Sequence, residues 1–221
     1  MPGRETVLAR VRAALADAPG LVSVPRGYRS RGEAGEAEVE SRFVACLRGY
    51  GATVVVSDDP ARGAGEALRA QGAARVVVAS DLPSALRPSD VELVEDDGLG
   101  AAELDVLDGA LTTCAAACAD TGTIALDGGP GQGRRAITLV PDLHVCIVRA
   151  EQIVETVPEL VARLEPGARE GRPIVLVSGP SATSDIGLER VEGVHGPRRL
   201  VVVVATRAAP TLSRTGRGAA W

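Results

Sequence analysis

The chain has 221 residues, 45% of them hydrophobic, with 24 basic against 29 acidic side chains and a net charge of -5. That length supports one substantial core with appendages, and apolar runs no longer than about six residues fall far short of a membrane-spanning helix. An acidic balance with Phe43, Tyr28, Tyr50 and Trp221 as the aromatic side chains argues against nucleic acid, which demands phosphate neutralisation and stacking surfaces.

Every basic residue is Arg, with no Lys. Schiff-base chemistry, a P-loop lysine and lysine acid catalysis are therefore unavailable. The amino terminus alternates charge with aliphatics and lacks a signal-peptide apolar stretch, so a cytoplasmic protein is expected.

In chain order, Val7, Leu8, Val11, Ala14 and Leu15 predict an amphipathic helix. A Gly/Pro/Arg-rich connection, expected to be mobile, follows to residue 35, so residues 1–35 form an extension. Residues 36–204 then alternate helix and strand: helix Glu36–Tyr50, strand Ala52–Val56, helix Arg62–Gln71, strands Ala73–Ala79 and Val91–Val94. Less regular segments follow, with a strand over Gly109–Thr113, a helical turn over Ala115–Ala119 and a strand over Thr121–Leu126. Strands His144–Val148, Pro173–Val177 and Leu200–Val204 and helix Val157–Leu164 complete the domain. Short aliphatic strands separated by helices predict an α/β fold of three layers with a mainly parallel sheet. Residues 205–221, with three arginines and no acid, are expected to be a disordered tail.

The four cysteines, Cys46, Cys114, Cys118 and Cys146, form neither C-x-x-C nor a cluster-binding run. Cys46 and Cys146 fall at core positions. Cys114 and Cys118 would share a helical face, which is half a zinc site without further ligands. No metal and no cofactor are expected in this chain.

The chemistry-bearing residues concentrate late in the chain. Ser178-Gly179-Pro180-Ser181-Ala182-Thr183-Ser184-Asp185 leaves one apolar strand, and Gly193-Val194-His195-Gly196-Pro197 leads into another. In doubly wound sheets such loops lie beyond the strands' carboxyl ends. Gly179 permits a tight turn, Pro180 favours entry into a helix, and Ser181 or Thr183 would cap it, leaving N–H groups and hydroxyls for an anion. The alternative is an ordinary capped turn. Asp185 either orients the hydroxyls or pairs with an arginine. His195 is either a turn residue bonded to backbone or a proton donor and acceptor for a small substrate.

Asp120-Thr121-Gly122-Thr123 offers two hydroxyls, with Gly122 allowing close backbone approach. The loop Asp127–Arg135 carries Gly128, Gly129, Gly131 and Gly133 before Arg134 and Arg135. It is neither a Walker A loop nor a dinucleotide fingerprint; it is read either as a solvated turn or as a loop bringing both arginines to an anion. His144 opens an apolar strand, where it is either buried and bonded or turned to the edge that holds His195.

Together, Asp120–Thr123, Pro141-Asp142-Leu143-His144-Val145, Glu151-Gln152-Ile153-Val154, residues 178–186 and residues 193–197 resemble the LUD-domain lactate utilisation family, in particular its LutC/YkgG branch. The resemblance spans roughly Ala110 to Val204. It implies a fold similar to the NagB/RpiA/CoA-transferase-like superfamily. It also implies a subunit acting with LutA-like and LutB-like iron–sulfur proteins in oxidising L-lactate to pyruvate, with the clusters on those partners. On this reading the site is drawn from Ser178, Gly179, Ser181, Thr183, Asp185, Gly196, Thr121, Gly122, Thr123, Arg134, Arg135 and His144, with His195 and Asp120 as the catalytic candidates. The chain departs from the family pattern at Ala182, where a basic residue is expected, at Gly187, where an acid is expected, and at Asp120, where Glu is more usual; Arg134 or Arg135 would have to compensate for the first. Two other readings stay open: a stand-alone CoA-transferase- or isomerase-like enzyme with Asp120 as nucleophile, and a non-catalytic structural or regulatory subunit.

Overall fold

The computed structural model describes residues 2–16, 24–183, 191–193 and 195–206. Helix α1 spans Pro2–Ala14 and α2 Glu36–Gly49; then come β1 (Thr53–Ser57), α3 (Pro60–Ala70), β2 (Arg75–Ala79), β3 (Glu92–Asp96) and α4 (Ala101–Asp105). Next are β4 (Gly109–Thr112), β5 (Ala116–Cys118), β6 (Thr123–Leu126), β7 (Leu143–Arg149), β8 (Ile153–Val154) and α5 (Val157–Arg169). The chain continues through β9 (Val175–Val177), β10 (Ala182–Thr183), β11 (Val191–Glu192) and β12 (Arg199–Ala205).

The aliphatic strands assemble as an all-parallel six-stranded sheet in the order β1-β12-β7-β4-β2-β3. Buried on both faces, β12 and β7 need no polar alternation, which is why they read as continuous apolar runs. Alternate residues serve different cores. Val201 and Val203 of β12 pack with Ala64 and Leu68 of α3 on one face. Leu200, Val202 and Val204 pack with Phe43 and Leu47 of α2 on the other. The α3 helix is started by local chemistry: Pro60 occupies its first turn and the Asp59 carboxylate accepts from the Arg62 N–H.

The α2 face also carries a second sheet that sequence reasoning did not foresee. Its order is β8-β5-β6-β9, with β5 antiparallel to β6 and β6 antiparallel to β9. The expected helical turn over 115–119 is corrected here, because Ala116–Cys118 is the strand β5. Ala117 faces the α2 core, while Ala116 and Cys118 face Leu160 and Leu164 of α5. Small side chains let α5 lie close on this sheet, so packing overrides the helical preference of alanine.

The expectation of a helix directly after Pro180 is corrected: Ala182–Thr183 pairs with Val191–Glu192 as an antiparallel ribbon, so Ser181 begins no helix. Residues 184–190, including Asp185, and residues 207–221 of the expected tail lie outside the described residues. Part of the connection expected to be mobile is tied down. The Ala34 N–H donates to Glu155 Oε2 at 2.7 Å, and Arg29 bonds Asp120. Among the described residues, no helix is long and apolar enough to cross a membrane.

Candidate functional site

The two late turns meet. Strand β9 delivers Ser178 from its carboxyl end, and Gly179 turns the chain with a φ of 97°, in the region L side chains avoid. A Cβ there would stand 2.6 Å from Tyr50 Cβ, so glycine also permits the turn to rest on the end of α2. Three backbone-anchored bonds then tie Ser181 to the second turn. Its N–H donates to Pro197 O at 2.8 Å, its carbonyl accepts from the Gly193 N–H at 3.1 Å, and its hydroxyl accepts from the His195 N–H at 3.1 Å. Arg135, on a 3-10 turn over Arg135–Thr138, closes the ring. One guanidinium nitrogen donates to His195 O at 2.9 Å; another donates to Thr138 O and Oγ1 at 2.7 and 3.0 Å.

These groups enclose a cavity of about 230 Å³, lined by Arg135, Thr138, His144, Val177, residues 178–181, His195–Pro197 and Leu200. That is smaller than the pockets that take drug-sized ligands, and it suits a ligand of a few heavy atoms. The cavity follows the carboxyl end of β9. Against the large parallel sheet, however, it lies toward the amino-terminal ends of β7 and β12, since His144 and Leu200 are their second residues. The carboxyl-edge expectation therefore holds for the small sheet and not for the large one.

A row of hydroxyls leads away from it. Ser178 Oγ lies 2.8 Å from Thr123 Oγ1, which lies 2.7 Å from Thr121 Oγ1. The first and third members of the TGT motif thus back the serine turn. Gly122 serves packing: with a φ of 56° it presses on α2, where a Cβ would stand 2.7 Å from Cys46 Cβ.

His144 forms the buried wall. It is 2% exposed, and its Nε2 lies 2.8 Å from Thr112 Oγ1. Burial, aided by the nearby Arg135 cation, pushes its pKa down to about 4, so the ring is neutral at physiological pH. Burial also lowers the Arg135 pKa, which leaves a partly desolvated cation at the cavity edge. His195 joins the network through its backbone, and its imidazole stands exposed at the rim with no hydrogen bond among the described residues.

Two expected site residues, Asp120 and Arg134, stand elsewhere. Asp120 is held by Arg42 at 2.7 Å and Arg29 at 3.5 Å, beside the buried Glu155, and does not line the His195 cavity. Arg134 is gripped at two nitrogens by Asp96, at 2.6 and 2.8 Å, and also meets Leu99 O. Of the paired arginines, only Arg135 stands at the cavity. Thr183 contributes backbone to β10. Thr112, Thr138 and Leu200 were not foreseen; the tertiary fold brings them together from separate elements, and no local motif marks them.

The glycine-rich loop borders a larger cavity of about 550 Å³, where carboxylates of the protein engage several of the donors. Asp81 accepts from the Gly131 N–H, and Asp127 accepts from the Gly129 N–H and the Gln132 amide. Arg172 pairs with Asp127 at 2.8 Å. Carboxylates of the chain itself fill the nest that an anion would use. The cysteines are all free thiols. Cys114 lies in the α2 core beside Cys146, which raises its pKa together with burial, whereas Cys118 faces α5. The shared face expected for Cys114 and Cys118 is not formed, and among the described residues no His/Cys/Asp/Glu group could hold a metal.

Known proteins resemble this chain over the region that holds the cavity. The LUD domain model matches residues 101–205, which include both turns, His144 and Arg135. Lactate utilization protein C of Deinococcus radiodurans is 46% identical over 173 residues, covering 76% of this chain and 80% of its own. The chain belongs to the LUD-domain family, in its LutC/YkgG branch. YkgG of Escherichia coli is 34% identical over 89 residues, or 38% of each chain. The crystal structure of a DUF162 family protein from D. radiodurans matches this LUD protein with a TM-score of 0.68 at 37% identity, covering 78% of this chain and 99% of that one.

Proposed function

We propose that this LUD protein is the LutC-type subunit of a lactate-oxidising system, acting with iron–sulfur partner proteins, and that the cavity beneath residues 178–181 and 195–197 receives the small carboxylate. The observation that carries the site is the joining of the two turns through Ser181 and Arg135 over His144. The name of the D. radiodurans relative carries the metabolic assignment.

The chemistry asked of such a subunit is limited. Conversion of L-lactate to pyruvate removes two protons and two electrons from the C2 carbinol. On this reading the partner proteins would take the two electrons together with the C2 proton, which leaves the hydroxyl proton to this chain. This chain supplies positioning: Arg135 offers positive charge to the carboxylate, the serine turn supplies hydroxyls and N–H groups, and the His195 imidazole at the rim can take the hydroxyl proton. The reading with Asp120 as a carboxylate nucleophile draws no support from a side chain engaged by two arginines away from the cavity.

Deletion of this gene from its host should abolish growth on L-lactate, and the tagged protein should co-purify with cysteine-rich partners. Normal lactate oxidation in the deletion strain would overturn the assignment.

A further inference from the structure

Thr112 is fully buried, and its bond with His144 Nε2 is the one hydrogen bond that either side chain makes among the described residues. The hydroxyl proton of Thr112 needs an acceptor, and the imidazole Nε2 is the one in place. With Nε2 accepting, the proton of the neutral ring sits on Nδ1. That atom has no partner among the described residues, although the ring is 2% exposed and lines the cavity. Nδ1 is also not among the fully sealed, unpartnered side-chain atoms of the described residues, so it is reached from the cavity. Nδ1–H is therefore a donor held ready for an oxygen that the protein does not supply.

We infer that His144 is a ligand-recognition residue, its Nδ1–H donating to an acceptor oxygen of a small carboxylate bound under the two turns. The inference rests on the cavity assignment above and adds which histidine reads the ligand, in which tautomer and charge state. Strand β4 faces the ring with the Thr112 hydroxyl, β12 with Leu200 and β9 with apolar side chains. Arg135 and His195 are the ionisable groups that share the lining. With its pKa near 4, His144 stays a neutral donor throughout the physiological range. Recognition by an uncharged N–H is then insensitive to pH between about 5.5 and 8, whereas an ordinary histidine cation would be lost across that window.

The chain has two histidines, so long-range ¹H–¹⁵N spectra of the full-length protein are simple, and His195→Ala assigns them. His144 should show the Nδ1–H tautomer at pH 7 and remain unchanged from pH 5.5 to 8. L-lactate or pyruvate should shift its Nδ1 signal to saturation. His144→Phe and Thr112→Val should each weaken that binding about tenfold or more, as expected for one lost hydrogen bond. His144→Gln, which keeps an N–H donor, should restore part of it. An Nε2–H tautomer, titration near 6.5, unchanged affinity in a folded Phe variant, or no response to any carboxylate would each overturn the inference. A response to acetate and propionate but not to lactate or pyruvate would uphold the role of His144 while removing the lactate assignment. A lactate-growth defect on gene deletion, with normal growth of the His144→Phe strain, would do the reverse.

Discussion

At the scale of single residues, two histidines that resemble each other in sequence play opposite parts. His195 sits between turn glycines and contributes backbone atoms to the cavity wall, with its ring exposed. His144 is sealed between β4 and the 3-10 turn that carries Arg135. Burial and then the Arg135 charge hold its pKa near 4, against about 6.5 for an unfolded histidine. The unfolded chain therefore takes up the proton first. Stability from this site is complete above about pH 6.5 and declines as pH falls toward 4. The total is on the order of 3 kcal/mol. Urea midpoints measured at pH 7 and pH 4.5 should fall more steeply for the wild type than for His144→Gln; parallel declines would show that the ring is not buried neutral. The motif around His144 was legible in sequence as an apolar run, but its hydrogen-bond partner was not. Thr112 lies 32 positions earlier, and only the register that sets Ala110 opposite His144 and Thr112 opposite Cys146 brings their side chains together.

At the scale of elements, the strands of the large sheet were readable because burial on both faces forces uninterrupted Val, Ile and Leu. The small sheet was not. Ala116-Ala117-Cys118 has no strand composition, and becomes β5 because β6 and β8 pair with it and α5 needs a shallow surface to rest on. Pro180 misled for the complementary reason. It is compatible with a helix start, but Ser181 is claimed by Pro197 and Gly193, which sets the chain on course for β10. The α2 helix is the hinge of this arrangement, touching the large sheet, the small sheet and the turn at Gly179. Phe43, fully buried there, joins both sheets in one core. Phe43→Ala should cost about 3–5 kcal/mol, seen as a lower urea midpoint with an unchanged slope. A loss below about 1 kcal/mol would mean that α2 and the small sheet can collapse onto the gap.

At the scale of the whole molecule, charge distinguishes the cavity between the late turns from two larger concavities among the described residues. At the cavity of the glycine-rich loop, Asp81 and Asp127 accept from the Gly131 and Gly129 amides and Asp96 and Asp127 pair with Arg134 and Arg172, although Arg135 borders this cavity too. The groove between α2 and α5, about 490 Å³, is lined by Glu36, Glu40, Glu151, Glu155 and Glu159 with Arg163 as its one basic residue, the wrong sign for a carboxylate. The smaller cavity between the late turns brings the partly desolvated Arg135 together with serine and threonine hydroxyls and the His144 ring. A crystal structure of the protein with L-lactate or pyruvate tests this ordering most directly. The ligand should lie under Ser181 and Gly196 with one oxygen within hydrogen-bond distance of His144 Nδ1. Density over the glycine-rich loop or in the acidic groove, with the His144 cavity vacant, would contradict it.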